Sequence, residues 1–206
     1  MKDASELIAG HHRFRRKVAG QDLVRATLAR SQSPWALWIG CSDSRVIPEE
    51  IIDAGPGDLL VLRNIGNVVS PFGTNETVGA SIEFAVLHLH VTHIIVCGHT
   101  GCGAVAALGE DLDPVAEPNF ARWVERLRPA AAAVAAMGLA PAERELATVQ
   151  ANILMQVDNL FTYPCVETAV AAGSLSVSAA MYALATGEIQ VFDDDAAAWI
   201  AVSSAP

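Results

Sequence analysis

Three stretches of the chain are apolar without alternation and close on a polar residue or a glycine: WALWIG at 35–40, LLVLRN at 59–64 and THIIVCGH at 92–99. Continuous apolar runs of that length are the pattern of strands buried on both faces. A helical stretch, ETVGASIEFAVLHL at 76–89, lies between the second and third runs, after the glycine-containing loop IGNVVSPFGTNET. A shorter helix is expected over 47–54, opened by Pro48 in its first turn. The first thirty residues read as helical, with Leu7, Ile8, Phe14, Val18, Leu23, Val24 and Leu28 set among charges, until SQSP at 31–34 ends the pattern. Residues 117–163 are predicted helical, with breaks near 129 and 138–143. The tail SLSVSAAMYALATGEIQVF predicts two strands joined at Thr186–Gly187.

Strands alternating with helices predict an α/β fold, with a mostly parallel central sheet flanked by helices and a C-terminal β-hairpin. The chain is expected to form a single domain over 1–206, made of a helical arm at 1–33 and an α/β core at 34–206. In such sheets, ligands sit beyond the carboxyl ends of the strands. The least ordinary chemistry of this sequence stands at two of those ends: Cys41 after the first strand, and His99 with Cys102 after the third.

Composition narrows the class. The 206 residues are 52% apolar and the mean hydropathy is +0.34. Even so, no run reaches the ~18 apolar residues of a membrane span. The richest segment, PAAAAVAAMGLAPAE, is short and bounded by Pro129 and Pro141. A net charge of −10 makes nucleic acid and anionic membrane surfaces poor partners. The local basic cluster of Arg13, Arg15, Arg16 and Lys17 reads as a solvated helix face. The amino-terminal residues show no apolar segment of a secretory signal. Four cysteines in a chain of this length do not suggest a disulfide scaffold, so a cytoplasmic protein with reduced thiols is expected.

Cys41 is followed at once by Ser42, Asp43, Ser44 and Arg45. Its thiol could belong to a disulfide, a nucleophile, a metal site or the core. The stretch GHTGCG at 98–103 places His99 and Cys102 three apart, flanked by glycines that let the backbone turn tightly. Zinc takes four tetrahedral ligands from thiolate, imidazole and carboxylate. Cys41, His99 and Cys102 supply three, leaving the fourth position to Asp43 or water. Cys41 and His99 are too far apart in sequence for a compact zinc ribbon, so the fold itself must assemble such a site. No C-x-x-C pair is present, which argues against a thiol redox enzyme.

The ordered set CSDSR at 41–45, the Pro56–Gly57 turn, RNIGN at 63–67 and CGHTGCGA at 97–104 resembles the β-class carbonic anhydrases. LIAGHHRF at 7–14 and LATGEIQVF at 184–192 resemble the leader helix and closing hairpin of that family, so the likeness spans nearly the whole chain. The resemblance implies a zinc-dependent lyase that hydrates carbon dioxide reversibly to bicarbonate by zinc-bound hydroxide. The zinc ligands would be Cys41, His99 and Cys102. Asp43 and Arg45 would form a catalytic dyad that gates the fourth zinc position, with Asp43 becoming a zinc ligand only in a closed state. The amino-terminal helices would extend to a partner subunit, giving a homodimer or homotetramer. Trp38, Arg63 and Tyr182 match positions that bind regulatory bicarbonate in a bacterial subset of the family. Each also has an ordinary structural reading.

Two positions depart from the family pattern. Gly55 stands where plant-type members carry a substrate-orienting glutamine, and Ser178-Ala179-Ala180 replaces the usual His-Gly-aromatic. Two other activities fit the same fold: hydrolysis of carbonyl sulfide or carbon disulfide, and a closed, bicarbonate-responsive protein without turnover. Cys97 and Cys165 read as inert buried thiols. His88, His90 and His93 read as scattered rings, Glu76 and Glu83 as solvated or capping residues, and Asp193, Asp194 and Asp195 as a solvated acidic run.

Overall fold

The computed structural model describes residues 4–202. Residues 1–3, at the head of the expected helical arm, lie outside the described residues. The chain falls into two compact units that meet between Ser33 and Pro34.

The first unit holds α1 (Ala4–Lys17) and α2 (Asp22–Leu28). Glu6 sits in the first turn of α1, and Arg15, Arg16 and Lys17 sit in its last turn. The basic cluster of the sequence is therefore the carboxyl end of a helix, where cations offset the negative end of the dipole. The Arg25 guanidinium lies 5.6 Å from the Phe14 ring centroid and joins the two helices. Neither helix buries a residue: Leu7 is 76% exposed and Leu23 83%.

The second unit runs β1 (Ala36–Cys41), α3 (Pro48–Ile51), β2 (Leu59–Asn64), α4 (Glu76–Glu83), β3 (His93–His99) and α5 (Gly103–Ala106). It continues with α6 (Pro118–Val124), α7 (Arg128–Ala135), α8 (Pro141–Leu160), α9 (Pro164–Ala171), β4 (Ser176–Tyr182), β5 (Ile189–Asp193) and β6 (Ala198–Ala201). Pro48, Pro118, Pro141 and Pro164 each open a helix, at the position where a missing N–H is harmless.

The six strands lie in the order β2-β1-β3-β4-β5-β6. The first four are parallel, and β5 and β6 return antiparallel. The chain leaves β1 for β2 on one side and then crosses to β3 on the other. The carboxyl ends of β1 and β3 thus flank the point where strand order reverses, which is where open α/β sheets bind ligands. Gly40 is in register with Cys97, so Cys41 comes beside the Gly98–His99 step.

One sheet face carries the main core. Leu37, Ile39, Ile94, Val96 and Met181 pack there against Val78 and Ile82 of α4, Val149 and Ile153 of α8, and Tyr163. A Cβ at Gly98 would stand 2.7 Å from Ile153 Cδ1, so the absence of a side chain there lets α8 lie close on β3. A smaller cluster centres on Trp38, Cys97 and Ala180, with Ile51 and Ile52 packed against it.

Three segments differ from the sequence pattern. The helix expected over 76–89 ends at Glu83. It gives way to a wider π-type turn at Phe84–His88, in which Leu89 N–H reaches Phe84 O at 3.0 Å. Pro164 begins α9 rather than ending the helical region. The closing hairpin gains a third strand, β6, after a turn that Asp193, the last residue of β5, closes: its Oδ1 accepts from Ala196 N–H at 2.8 Å.

Candidate metal centre

Cys41 is the last residue of β1 and His99 the last of β3. Beyond β3 the chain turns through Gly101, at φ +64, a left-handed conformation that suits glycine. That turn brings Cys102 back over the same strand ends, where it precedes α5. One ligand atom from each of Cys41, His99 and Cys102 lies within 4.8 Å of the others, and all three residues are buried. Among the described residues this is the one group of histidine, cysteine or carboxylate side chains that fits a metal ion.

Three observations test the fit. The first is the His99 ring. Nδ1 lies 2.9 Å from Thr100 O, which fixes the proton on that nitrogen and leaves Nε2 as a lone-pair donor. Nε2 is buried without a hydrogen-bond partner. A buried polar atom left this way is costly unless something accepts its electrons. The second is the pair of thiols. The neighbouring Cys102 thiol holds Cys41 far below the ordinary range, to about 4, against the opposing effect of burial. The same contact pushes Cys102 up. Two thiols set this close, one of them driven toward its thiolate, can give up their protons to a cation. The third is the Gly66 N–H, which donates to Cys41 Sγ at 3.4 Å and stabilises a thiolate there. The donor set is that of a soft divalent metal.

Asp43 and Arg45 border this cluster. Arg45 donates from Nε to Asp43 Oδ1 at 2.9 Å and from Nη2 to Oδ2 at 2.7 Å. Its backbone N–H adds a third bond, to Oδ1 at 3.0 Å. These bonds hold the Asp43 carboxyl well below the usual carboxylate range. Asp43 Oδ2 lies 3.8 Å from His99 Nε2, so an ionised carboxylate faces the side of the ring that a metal would occupy. Arg45 Nη2 also reaches Gly101 O at 3.0 Å, which ties the ion pair to the turn that carries Cys102.

Arg63 donates from Nε to Cys41 O at 2.8 Å and from Nη2 to Asp43 O. It thereby braces the backbone of both residues. Trp38 and Tyr182 meet in the smaller cluster. The Trp38 indole N–H is buried there without a partner and lies over Gly40, where a Cβ would stand 2.5 Å from it. Cys97 is buried and its thiol is pushed up to about 12 by that burial. His88, His90 and His93 form no such cluster. Gly55 donates its N–H to Asp58 Oδ2 at 2.7 Å. Asn75, not Glu76, caps α4 by accepting from Val78 N–H.

Sequence reasoning missed the backbone groups of the site: Gly66 N–H, Thr100 O and Gly101 O. RNIGN and GHTGCG contain them, but a backbone contact leaves no mark on residue type.

Residues 36–189 match the family model described as carbonic anhydrase. A carbonic anhydrase of Pseudomonas aeruginosa is 36% identical over 204 residues, which is 98% of this chain and 93% of the relative. The structure of the β-carbonic anhydrase CcaA superposes with a TM-score of 0.87 at 33% identity, covering 96% of this chain and 98% of that one. A tetrameric β-carbonic anhydrase of Sordaria macrospora superposes at 0.79 and 32% identity, covering 91% and 94%.

The geometry sets an expectation for the four thiols. In the metal-loaded protein, a disulfide reagent should reach at most the half-buried Cys165. Stripping with a chelator should release the metal and expose two more reactive thiols, Cys41 and Cys102, while Cys97 waits for unfolding. An unchanged thiol count after stripping would contradict the assignment.

Proposed function

The chain belongs to the β-class carbonic anhydrases, and from that premise we propose that it interconverts carbon dioxide and bicarbonate on a zinc ion held by Cys41, His99 and Cys102. One observation carries the proposal. The buried, partnerless Nε2 of His99 lies beside two thiols and 3.8 Å from a carboxylate that an arginine holds ionised. Zinc bound there supplies a Lewis acid that lowers the pKa of a coordinated water, and so provides the nucleophile for carbon dioxide.

The protein's own groups prepare that chemistry. Thr100 O fixes the His99 tautomer, and Gly66 N–H supports the Cys41 thiolate. Arg45 holds Asp43 in a two-point pair, so the carboxylate is kept in place to accept a proton or orient the attacking water. If Arg45 lets go, Asp43 is free to turn onto the fourth zinc position and close the site. The dyad then acts as a gate. Because Arg45 also holds Gly101 O, closing the gate in this way loosens the turn before Cys102 as well.

Trp38, Arg63 and Tyr182 form the proposed regulatory bicarbonate site. The partnerless indole N–H of Trp38 supports it, and Arg63 links it to the gate through Cys41 O and Asp43 O. Bicarbonate drawing Arg63 away would release the backbone on which Asp43 stands.

A homodimer or homotetramer is proposed, in keeping with the tetrameric Sordaria relative. The exposed apolar residues of α1 and α2, Leu7 and Leu23 among them, are the surface a second copy would cover. No helix among the described residues is long and apolar enough to cross a membrane. The free thiols of all four cysteines fit a reducing, cytoplasmic compartment.

Stopped-flow hydration of carbon dioxide tests the activity. The zinc-loaded protein should turn over, faster at pH 8.5 than at pH 7, since thiolate ligands acidify the water less than imidazoles do. Arg45→Ala should lose about 100-fold or more, and sedimentation of the same preparation should give a dimer or tetramer. No turnover at either pH would sink the proposal for the reaction, and a monomer would sink that for assembly. Trp38→Phe, which keeps a smaller aromatic ring and removes the N–H, should abolish inhibition by bicarbonate at low pH. Inhibition equal to that of the unaltered protein would dismiss the regulatory site.

A further inference from the structure

The Gly66 N–H that meets the Cys41 sulfur sits in a turn whose two flanking carbonyls are both held by side chains outside the catalytic set. The peptide joining Ile65 to Gly66 presents its N–H to Cys41 Sγ at 3.4 Å. Its carbonyl accepts the indole N–H of Trp123 at 2.7 Å. On the other side of Gly66, the buried Asn152 donates from Nδ2 to Gly66 O at 3.1 Å. Asn152 is itself held by Gln156, which donates from Nε2 to Asn152 Oδ1 at 2.8 Å. The Arg126 guanidinium lies 4.8 Å from the Trp123 ring centroid and steadies the indole.

The turn has little room to lean elsewhere. Gly66 is at φ +76, and a Cβ there would stand 3.0 Å from both Ala104 Cβ and Leu127 Cδ2. The N–H direction is therefore set by what grips the two carbonyls. We infer that Trp123 and Asn152 are positioning residues of the metal centre: they clamp the carbonyls on either side of Gly66, aim its N–H at the Cys41 sulfur, and through the Ile65–Gly66 peptide Trp123 strengthens that donor. A carbonyl that accepts a hydrogen bond draws electron density from its own amide, so the N–H of the same peptide donates more strongly. Donation to sulfur withdraws charge from the thiolate, lowering both its proton affinity and the energy of its lone pair. Outer partners of this kind tune how a ligand holds its metal. The inference rests on the proposed binding of zinc by Cys41, His99 and Cys102.

Trp123→Phe is the direct test, because it removes the indole N–H while keeping a smaller aromatic ring in its place. With cobalt(II) in place of zinc, the sulfur-to-cobalt charge-transfer band of the variant should move to lower energy than in the unaltered protein. Its zinc should pass to EDTA roughly 10-fold faster. Asn152→Ala should move both readouts in the same direction. Trp199→Phe, at an indole that meets Phe192 edge-on in the antiparallel part of the sheet, should move neither. A Trp123→Phe protein with an unmoved band and unchanged zinc loss overturns the inference, even if its melting temperature has dropped. If the unaltered protein takes up no cobalt, the metal reading itself has failed and the inference goes with it. A normal cobalt spectrum with an inert Trp123 removes only the inference.

Discussion

Two cysteine sulfurs and an imidazole nitrogen, almost closed to water, stand within 4.8 Å of one another at the mouth of the sheet. Apolar packing does not stabilise such a set. A buried lone pair without a partner is costly, and two crowded, buried thiols do not readily both ionise without a countercharge. A divalent cation satisfies all three donors at once. The rest of the unit keeps the three donors together: parallel strands end side by side, a glycine turn brings Cys102 back, and a loop supplies an N–H to Cys41.

That arrangement follows from topology. β1 lies between β2 and β3, so residues far apart in sequence meet at its carboxyl end. The long helix α8 covers one side of these strands and sends a row of amide side chains into the loop after β2. Asn152 reaches Gly66 O, Gln156 accepts from Val69 N–H, and Asn159 reaches Val69 O. Tyr163 adds a bond to Ser70 O at 2.7 Å. Buried amides so fully paired stiffen a loop that apolar contacts alone would leave free to shift. The stiffness reaches the metal centre because the first residues of that loop include Gly66.

The Asp43–Arg45 pair is held under the opposite condition. The Arg45 side chain is 57% exposed and that of Asp43 15%, so their attraction is weakened by solvent and can be exchanged for another contact. A fixed set of donors beside a pair that can open is what the proposed gate would require.

Much of this was legible in the sequence. The continuous apolar runs gave three parallel strands, and the break at Thr186–Gly187 gave the turn between β4 and β5. The unusual residues Cys41, His99 and Cys102 stood at strand ends, where a parallel sheet gathers its ligands. Arg63 was harder to place, because residue type does not separate an anion-binding guanidinium from one that braces Cys41 O and Asp43 O. β6 escaped because AWIA is short and its pairing depends on the Asp193 turn. The clamp around Gly66 escaped for a different reason: Trp123, Asn152 and Gln156 act on backbone atoms, and nothing in their spacing tells which carbonyls they will meet.

X-ray absorption at the zinc edge of the purified protein probes the three donors most directly. The account predicts one zinc per chain, with two sulfurs at about 2.3 Å and an imidazole nitrogen at about 2.0 Å in its coordination sphere. A sphere of oxygen and nitrogen alone, or a well-folded protein that carries no zinc, would contradict it.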